Sequence, residues 1–373
     1  MNNYKHLDVF TEGIKVGTLA LTPERTVAFA YDDEWLANGF SLNPLSLPLQ
    51  KKVFVPKYDP FEGLFGAFAD SLPDGWGRLL VDRLLLHKGI NPKTVDSINR
   101  LAIVGRSGMG ALTYYPSHEL TTGEAKKDYD TIATECMNVL KTDYSDDLDT
   151  LFLLGGSSGG ARPKIFTAID GEEWIIKFPT TYDSPDIGLE EYRYSECARL
   201  CGIEMSETRL FPSAKCSGYF GTKRFDIQNG RRIHMLSVSA LLETSHRIPN
   251  LDYNILMNLT MRLTNDYAEI EKLFRLMCFN VFSHNRDDHS KNFSFLYDHL
   301  SGKWSLSPAY DLTWSNSIGG EHATTVSGNG QNPGIKDIMA VADHIKLNRS
   351  KAYDIAGSIQ NIVEDNLHDL IRK

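Results

Sequence analysis

Asp287 and Asn292 stand five residues apart in the run Ser283-His284-Asn285-Arg286-Asp287-Asp288-His289-Ser290-Lys291-Asn292-Phe293-Ser294-Phe295. Such a pair can serve phosphoryl transfer. The carboxylate can accept or align the proton of an attacking hydroxyl, and the amide oxygen can take a hard divalent cation. Downstream, Trp304-Ser305-Leu306-Ser307-Pro308-Ala309-Tyr310-Asp311 is an apolar run with period-two character that closes on an acid, as a strand ending in a second metal ligand would. Two oxygen ligands completed by substrate phosphates are what Mg²⁺ prefers, so Asn292 and Asp311 are the candidate magnesium ligands.

Phosphates also need positive charge and donors. Upstream, Trp174-Ile175-Ile176-Lys177-Phe178 reads as a buried strand carrying one lysine. A buried Lys needs a partner. The α- and β-phosphates of ATP would serve, together with Glu190 or Glu191, which open a helix running through Tyr194 and Ala198 to Leu200. Further upstream lies Gly155-Gly156-Ser157-Ser158-Gly159-Gly160-Ala161-Arg162-Pro163-Lys164, leading into the strand-like Ile165–Ile169. Glycines let backbone N–H groups turn onto an anion because no Cβ blocks the approach. The run is no Walker loop, since Ala161-Arg162 follow where Lys-Ser/Thr should, and it does not match G-x-G-x-x-G. It is either a phosphate cradle of another kind or a flexible turn.

Taken singly, each feature has an ordinary structural reading. Gly/Ser runs are usually hairpin tips, strand lysines snorkel to water, and Asp and Asn cap turns. The order carries the argument: glycine loop, strand Lys, helix Glu, Asp-x4-Asn, then Asp, which is the order of the protein-kinase signature set. The Asp-to-Asn spacing is that of the H-R-D-x-x-x-x-N catalytic loop, although His284 comes one residue too early.

The chain resembles HipA, the serine/threonine-kinase toxin of bacterial type II toxin–antitoxin pairs, over most of its length. The family's D-x-H-A-K-N-F-S stretch is similar to Asp287 through Ser294, with Ser290 in place of Ala. Its I-I-K strand is similar to Ile175-Ile176-Lys177, its P-x-Y-D site to Pro308-Ala309-Tyr310-Asp311, and its E-R-F-D hinge to Lys223-Arg224-Phe225-Asp226, with Lys for Glu. Its S-x-x-G-x-x-x-K loop matches Ser157 through Gly160 to Lys164, with Arg162-Pro163 where Gln-Glu is common. Ser46-Leu47-Pro48-Leu49, Leu72-Pro73-Asp74-Gly75-Trp76 and Gly110-Ala111-Leu112 carry the likeness through the N-terminal third.

The resemblance implies transfer of the ATP γ-phosphate to a protein Ser or Thr, with Asp287 as the base. Asn292 and Asp311 would carry Mg²⁺, and Lys177 would be held by Glu191. The backbone of Gly159, Gly160, Ala161, Arg162 and Lys164 would cover the phosphates. Lys223, Arg224 and Phe225 would face adenine, and His289, Lys291 and Tyr310 would lie near the nucleotide. It further implies autophosphorylation at Ser157, a helix-turn-helix antitoxin as partner, and an aminoacyl-tRNA synthetase or related translation factor as substrate.

The elements that must position these groups follow from patterning. The resemblance and the patterning together predict an α+β protein: a small HipA-type N-terminal α/β subdomain at 1–120, a kinase-like mixed β lobe that grips ATP at 121–230, and a helical catalytic lobe at 231–373. Residues 7–10 and 14–21 read as strands about Glu12-Gly13, and a helix runs from the Pro73-Asp74 cap to near Gly89. A polar connection with a short helix spans 120–150. Residues 150–230 read as mostly β with one helix, and Asp170-Gly171 and Asn229-Gly230 are hairpin turns. Ile270, Leu273, Phe274, Met277 and Val281 keep helical spacing into the catalytic loop; Ile355, Ile359, Ile362, Val363, Leu367 and Leu370 share a face of the last helix.

The composition, 42% hydrophobic and 23% charged, is that of a globular protein. A net charge of −9 argues against direct DNA contact and for DNA reached only through a basic antitoxin. The 5 cysteines, without a C-x-x-C pair, suit a reducing cytoplasm. Cys197 and Cys201 read as a shared buried face rather than half a metal site. No apolar window reaches transmembrane length. Two other classes stay open on the sequence: a nucleotide-binding co-repressor with little catalysis, and a small-molecule kinase with the same Asp-x4-Asn spacing.

Overall fold

The computed structural model describes residues 3–118, 120–121, 128–141 and 148–371. Thr122–Lys127 and Ser145-Asp146-Asp147, read above as polar connection, lie outside the described residues. The chain forms two compact units, one of residues 1–188, 209–236 and 240–244, the other of 189–208, 237–239 and 245–373.

The first unit opens with β1 (His6–Thr11) and β2 (Ile14–Leu21), paired antiparallel about Glu12-Gly13. With β3 (Val27–Tyr31), β4 (Val53–Phe54) and β5 (Thr113–Tyr115) they make a five-stranded sheet in the order β4-β3-β2-β1-β5. Helices α1 (Asp33–Asn38), α2 (Gly66–Ala69), α3 (Gly75–His87) and α4 (Ser97–Val104) fall between β3 and β5. Then come α5 (Tyr129–Lys141) and α6 (Leu148–Gly155).

A second sheet follows, β6 (Lys164–Ile169), β7 (Glu172–Lys177), β8 (Thr208–Phe211) and β9 (Tyr219–Lys223), in the order β6-β7-β9-β8. Asp170 and Gly171 join β6 to β7 with φ of 54° and 81°, the two positive values that a tight type I′ hairpin turn requires. Asn229-Gly230 does the same for β10 (Ile227–Gln228) and β11 (Arg231–Arg232). The core of this region joins α3 to the second sheet. Trp76, Leu80 and Leu84 pack with Ile132 and Cys136 of α5, Leu151 of α6, and Ile165, Ile176, Phe178 and Tyr219. Each such side chain contributes roughly 1.5–3 kcal/mol by leaving water.

Two helices therefore accompany the second sheet where one was expected. The run Leu151-Phe152-Leu153-Leu154 is the end of α6, and Gly155 closes it. The second is α7 (Ile187–Leu200), which starts in the first unit and continues into the other. Strand β12 (His234–Ser237) and helix α8 (Val238–Leu241) mark further passages of the chain between units.

The second unit is mainly helical: α9 (Tyr253–Thr264), α10 (Tyr267–Phe282), α11 (Ile335–His344) and α12 (Arg349–Leu367). Asp266 caps α10 by accepting from the Ala268 N–H, and Ile270, Leu273, Phe274, Met277 and Val281 are all buried. On α12, Ile355, Ile359, Val363 and Leu367 are buried, whereas Leu370 lies past the helix end. Two small β elements complete the unit. β13 (Leu251–Asp252) pairs parallel with β16 (Thr324–Thr325), and β14 (Ser294–Asp298) makes an antiparallel hairpin with β15 (Lys303–Leu306). No helix among the described residues is long and apolar enough to cross a membrane.

Candidate functional site

In the first unit, β6 and β7 pair so that Lys164 and Lys177 stand directly opposite one another. Opposed residues of an antiparallel pair share a face with Cβ atoms about 5 Å apart, and two like charges there are costly unless an anion offsets them. Lys164 is buried, and the Lys177 ammonium lies 5.5 Å from the centre of the Phe220 ring.

The glycine run docks beside this pair. The Ser157 hydroxyl donates to the Ser107 carbonyl at 2.7 Å, and Ser158 donates to the Gly155 carbonyl at 2.6 Å. Both serines are buried. Trp76 N–H donates to the Gly160 carbonyl at 2.9 Å, and Gly160 N–H donates to the Asp74 carboxylate. A Cβ at Gly160, whose φ is +83°, would meet Lys164 Nζ at 2.5 Å; one at Gly159 would meet Asp74 Oδ1 at 3.1 Å. The run is therefore an ordered loop rather than a loose turn, and its glycines are needed for close approach. Ala161 is exposed, and Arg162 pairs with Asp183 at 3.1 Å.

The expected hinge departs from its sequence reading in detail. Lys223 pairs with Glu172 at 2.8 Å. Arg224 turns its guanidinium inward, bidentate to the fully buried Asp226 at 3.0 and 2.7 Å, and stacks 4.8 Å from the Phe166 ring. Its backbone N–H is used by the Glu173 carbonyl. Burial pushes the Asp226 carboxyl up, but Arg224, with Gly110 N–H donating at 2.8 Å, holds it below the usual carboxylate range. Arg232 grips the same segment through the carbonyls of Arg106, Gly108 and Gly110. The Arg224 side chain is thus structural.

In the second unit, α10 ends at Phe282 and delivers the chain to His284, which has a left-handed φ of 54°. The next residues alternate. Asn285 is buried, Asp287 is exposed, and Asp288 is only 1% exposed. Asn292 donates its amide N–H to the Asp287 carbonyl at 2.6 Å, and its backbone N–H goes to His289 O at 2.8 Å. That clip fixes the amide plane, so the Asn292 side-chain oxygen is the atom left for a cation.

Nδ1 of His289 accepts from Lys291 N–H at 3.2 Å, and its ring lies 5.4 Å from that of His246. The Tyr310 hydroxyl donates to Lys291 O at 2.7 Å and lies 2.6 Å from Ser294 Oγ, so it ties the loop to β14. Asp311 does not end a strand: β15 stops at Leu306, and Asp311 follows in a loop at φ 53°. Left-handed non-glycine residues are uncommon, though Asp, Asn and His tolerate the region best. His284, just before the Asp287 loop, and Asp311 are two of the twelve such residues among those described. Glu191 is buried on α7, whose Tyr194 hydroxyl donates to Ser283 O at 2.7 Å.

Sequence reasoning passed over two acids. Asp74 stands at the α3 N-cap, but its side chain makes no capping bond to that helix. Asp288 neighbours Asp287 yet is buried among Tyr253, His322 and Thr324.

Each unit, taken by itself, offers groups of a kind that MgATP would use. The Lys164–Lys177 face and the closely packed glycine peptides suit phosphates. Asn292 and Asp311 offer two hard oxygen ligands, and no cluster of three or more His, Cys, Asp or Glu exists among the described residues. Such a site suits a cation that draws its remaining ligands from phosphate and water rather than from a protein cage.

An α+β protein of HipA type is the class this fold defines. Residues 7–115 match the HipA N-terminal domain and residues 156–367 the HipA-like C-terminal domain, so the chain belongs to the HipA family. Two proteins of Sinorhizobium fredii (strain NBRC 101917 / NGR234) are similar to it. "Putative kinase Y4dM" is 24% identical over 324 residues and "Putative kinase Y4mE" 27% identical over 342 residues, each alignment covering 82% of this chain and 76% of the relative. Among solved structures, the HipA, HipB and operator DNA complex of Shewanella oneidensis MR-1 matches with a TM-score of 0.74 at 17% identity, over 98% of this chain and 90% of that one.

Proposed function

We propose that this protein is an ATP-dependent serine/threonine-protein kinase and the toxin member of a toxin–antitoxin pair. One observation carries the reading. Asp287 is exposed on a loop fixed from behind, and Asn292, five residues on, is clipped to the Asp287 carbonyl. The opposed Lys164 and Lys177, the family membership and the kinase names of the two rhizobial relatives support it.

In this reading Lys177, with Glu191 as its partner, and Lys164 neutralise the phosphates beneath the Gly159–Lys164 loop, while Asn292 and Asp311 hold magnesium. MgATP supplies the transferable phosphoryl group and the charge that the lysines meet. Asp287 aligns the hydroxyl of a protein Ser or Thr and takes its proton, and the bound side chains otherwise position and stabilise charge. Residues 223–225 face adenine. The proposal keeps three functional stretches, 1–120, 121–230 and 231–373.

Its partner is a small basic DNA-binding antitoxin, in line with the HipB named in the Shewanella complex, and operator DNA is reached through that partner. Phosphoproteomics after brief expression tests the reading. Wild type should add phosphate to a discrete protein target, and Asp287→Asn should lose on the order of 10²–10⁴ in rate, the worth of a positioned base. Equal phosphorylation by both forms would remove Asp287 from the mechanism.

A further inference from the structure

The buried carboxylate next to the proposed base is the feature the phosphoryl-transfer reading leaves unused. Asp288 Oδ2 accepts the Tyr253 hydroxyl at 2.9 Å and lies 3.1 Å from His322 Nδ1. Oδ1 accepts Thr324 N–H at 3.1 Å, and the Thr324 hydroxyl donates to the Asp288 carbonyl. Tyr253, Asp288, His322 and Thr324 are each at most 4% exposed. Burial, with the Asp288 charge adding to it, pushes the Tyr253 phenol well up, so it stays a donor.

The network closes on the loop itself. Tyr253 accepts from Asn280 at 3.0 Å, Asn280 accepts from the Asn285 amide at 3.0 Å, and Asn285 N–H returns to Asn280 O at 3.0 Å.

The segment after Asp311 supplies the rest of the support. Ser315 N–H donates to His284 O at 3.1 Å, and Ala323 N–H donates to Arg286 O at 3.0 Å. Asn285 and Ser315 form a parallel bridge. So the carbonyls of 284, 286 and 288 are all held by residues 315–324, and two of the three add side chains to the seam: Arg286, which donates to Asn316 at 3.4 Å in a solvent-exposed bond, and the buried Asp288. Asp252 pins the far end of the segment, accepting from Thr325 Oγ1 at 2.6 Å and Gly328 N–H at 2.8 Å. With every second carbonyl held and the Asp288 side chain locked inward, the peptide between them can present Asp287 only outward.

We propose that Asp288, through His322, Thr324 and Tyr253, is the positioning residue that aims Asp287, and that the segment after Asp311 does this without a covalent modification. The inference rests on the kinase reading. A buried carboxylate with three polar contacts is stabilising wherever it occurs, so stability alone does not test the idea; the rate of a step that uses Asp287 does.

The experiment measures ADP formation by the purified full chain at saturating MgATP, with the MgATP dissociation constant from calorimetry. His322→Ala and Thr324→Val should each lower turnover roughly ten- to a hundredfold, the scale of a small misplacement of a reacting group. MgATP affinity should stay within about twofold, because the nucleotide-gripping residues are elsewhere. His322→Gln and Thr324→Ser, which retain a donor, should recover most of the rate. Tyr253→Phe, which removes only one hydroxyl, covers the case in which a larger change prevents folding, and its turnover should also fall at unchanged affinity.

Combined with Asp287→Asn, none of these changes should lower turnover further. Wild-type rates in all three disrupting variants, or losses that multiply with that of Asp287→Asn, would overturn the assignment of Asp288. If Asp287→Asn alone leaves turnover unchanged, it is the kinase reading that fails.

Discussion

Asp74 occupies the N-cap position of α3, yet its carboxylate accepts from the backbone N–H of Gly160 instead of from its own helix. An N-cap Asp ordinarily accepts from the second or third helical N–H, a bond worth about 1 kcal/mol. Here a carboxylate instead fills a glycine-loop donor beside Lys164.

The first prediction concerns that bond. If the nucleotide uses the Gly160 N–H, Asp74 must give it up, and removing its charge should help. Asp74→Asn should bind MgATP several-fold more tightly at low ionic strength, and the gain should shrink in salt as charges are screened. Calorimetry at two salt concentrations reads the effect. An affinity that is unchanged or weaker would mean that Asp74 orders the loop rather than competing with the ligand.

Magnesium dependence gives a second test. Asn292→Ala and Asp311→Ala each remove one of two oxygen ligands, so half-saturation by ATP should require about tenfold more Mg²⁺ in either variant, since few other hard ligands lie nearby. Titration of nucleotide affinity against magnesium decides it. Two variants with the wild-type profile would sink the pairing.

Ser157 is the third. Its hydroxyl is tied to the Ser107 carbonyl, and Ser158 is more deeply enclosed, so phosphorylation of the loop must follow its release. Incubation with MgATP should yield phosphoserine at 157 and not in the Asp287→Asn control. A phosphate there adds about −1.5 to −2 charge and cannot return to the buried position. Ser157→Asp should therefore lose ATP binding. Mass spectrometry that finds the loop unmodified in turning-over protein would remove the switch.

Acid sensitivity is the fourth. His234 is buried, with Nε2 2.8 Å from the Leu42 carbonyl, and burial draws its pKa down to about 4. Unfolded, the same imidazole titrates near 6.5. Between these values the unfolded chain holds a proton that the folded chain refuses, so stability falls as pH drops through about 6.5 and continues to fall to about 4. The loss is on the order of 3 kcal/mol over that window. Urea unfolding at pH 7.5 and 5 should show a smaller decline for His234→Gln than for wild type; equal declines would place the acid sensitivity elsewhere.

Local rules made much of the fold legible. Asp170-Gly171 and Asn229-Gly230 specified their hairpins because the turn needs positive φ at both positions. The helical spacing of Ile270 through Val281 gave α10 and, with it, the approach to the catalytic loop. Helix α6 was not legible, because a short unbroken apolar run reads equally as a buried strand, and the glycines after it drew the loop boundary too early.

The deeper miss was in the site. Asp287 and Asp288 are identical in kind and adjacent, and only burial separates the proposed base from its proposed support. The partners that bury Asp288 lie 34 to 36 residues away, as do His322 and Thr324 from it, or 35 away at Tyr253. No periodicity spans such distances. Arg224 differs, since the partner that takes its guanidinium inward, Asp226, is only two residues away.

The knot around Asp226 bears on how this gene product can be divided. Gly110 and Arg232 lie 122 positions apart in the chain and meet around the buried Arg224–Asp226 pair. The two family domains end and begin at 115 and 156, which invites expression of the latter alone. Such a fragment would deprive a buried carboxylate of one donor, and would strip Trp76, Leu80 and Leu84 from the sheet they cover. The Arg224–Asp226 pair would survive, and losing the one backbone donor to its buried carboxylate costs about 1.5–3 kcal/mol, a sizeable part of what an average domain has to lose. The homology boundary thus cuts through shared packing, since residues before 115 and the second sheet bury their side chains in one core.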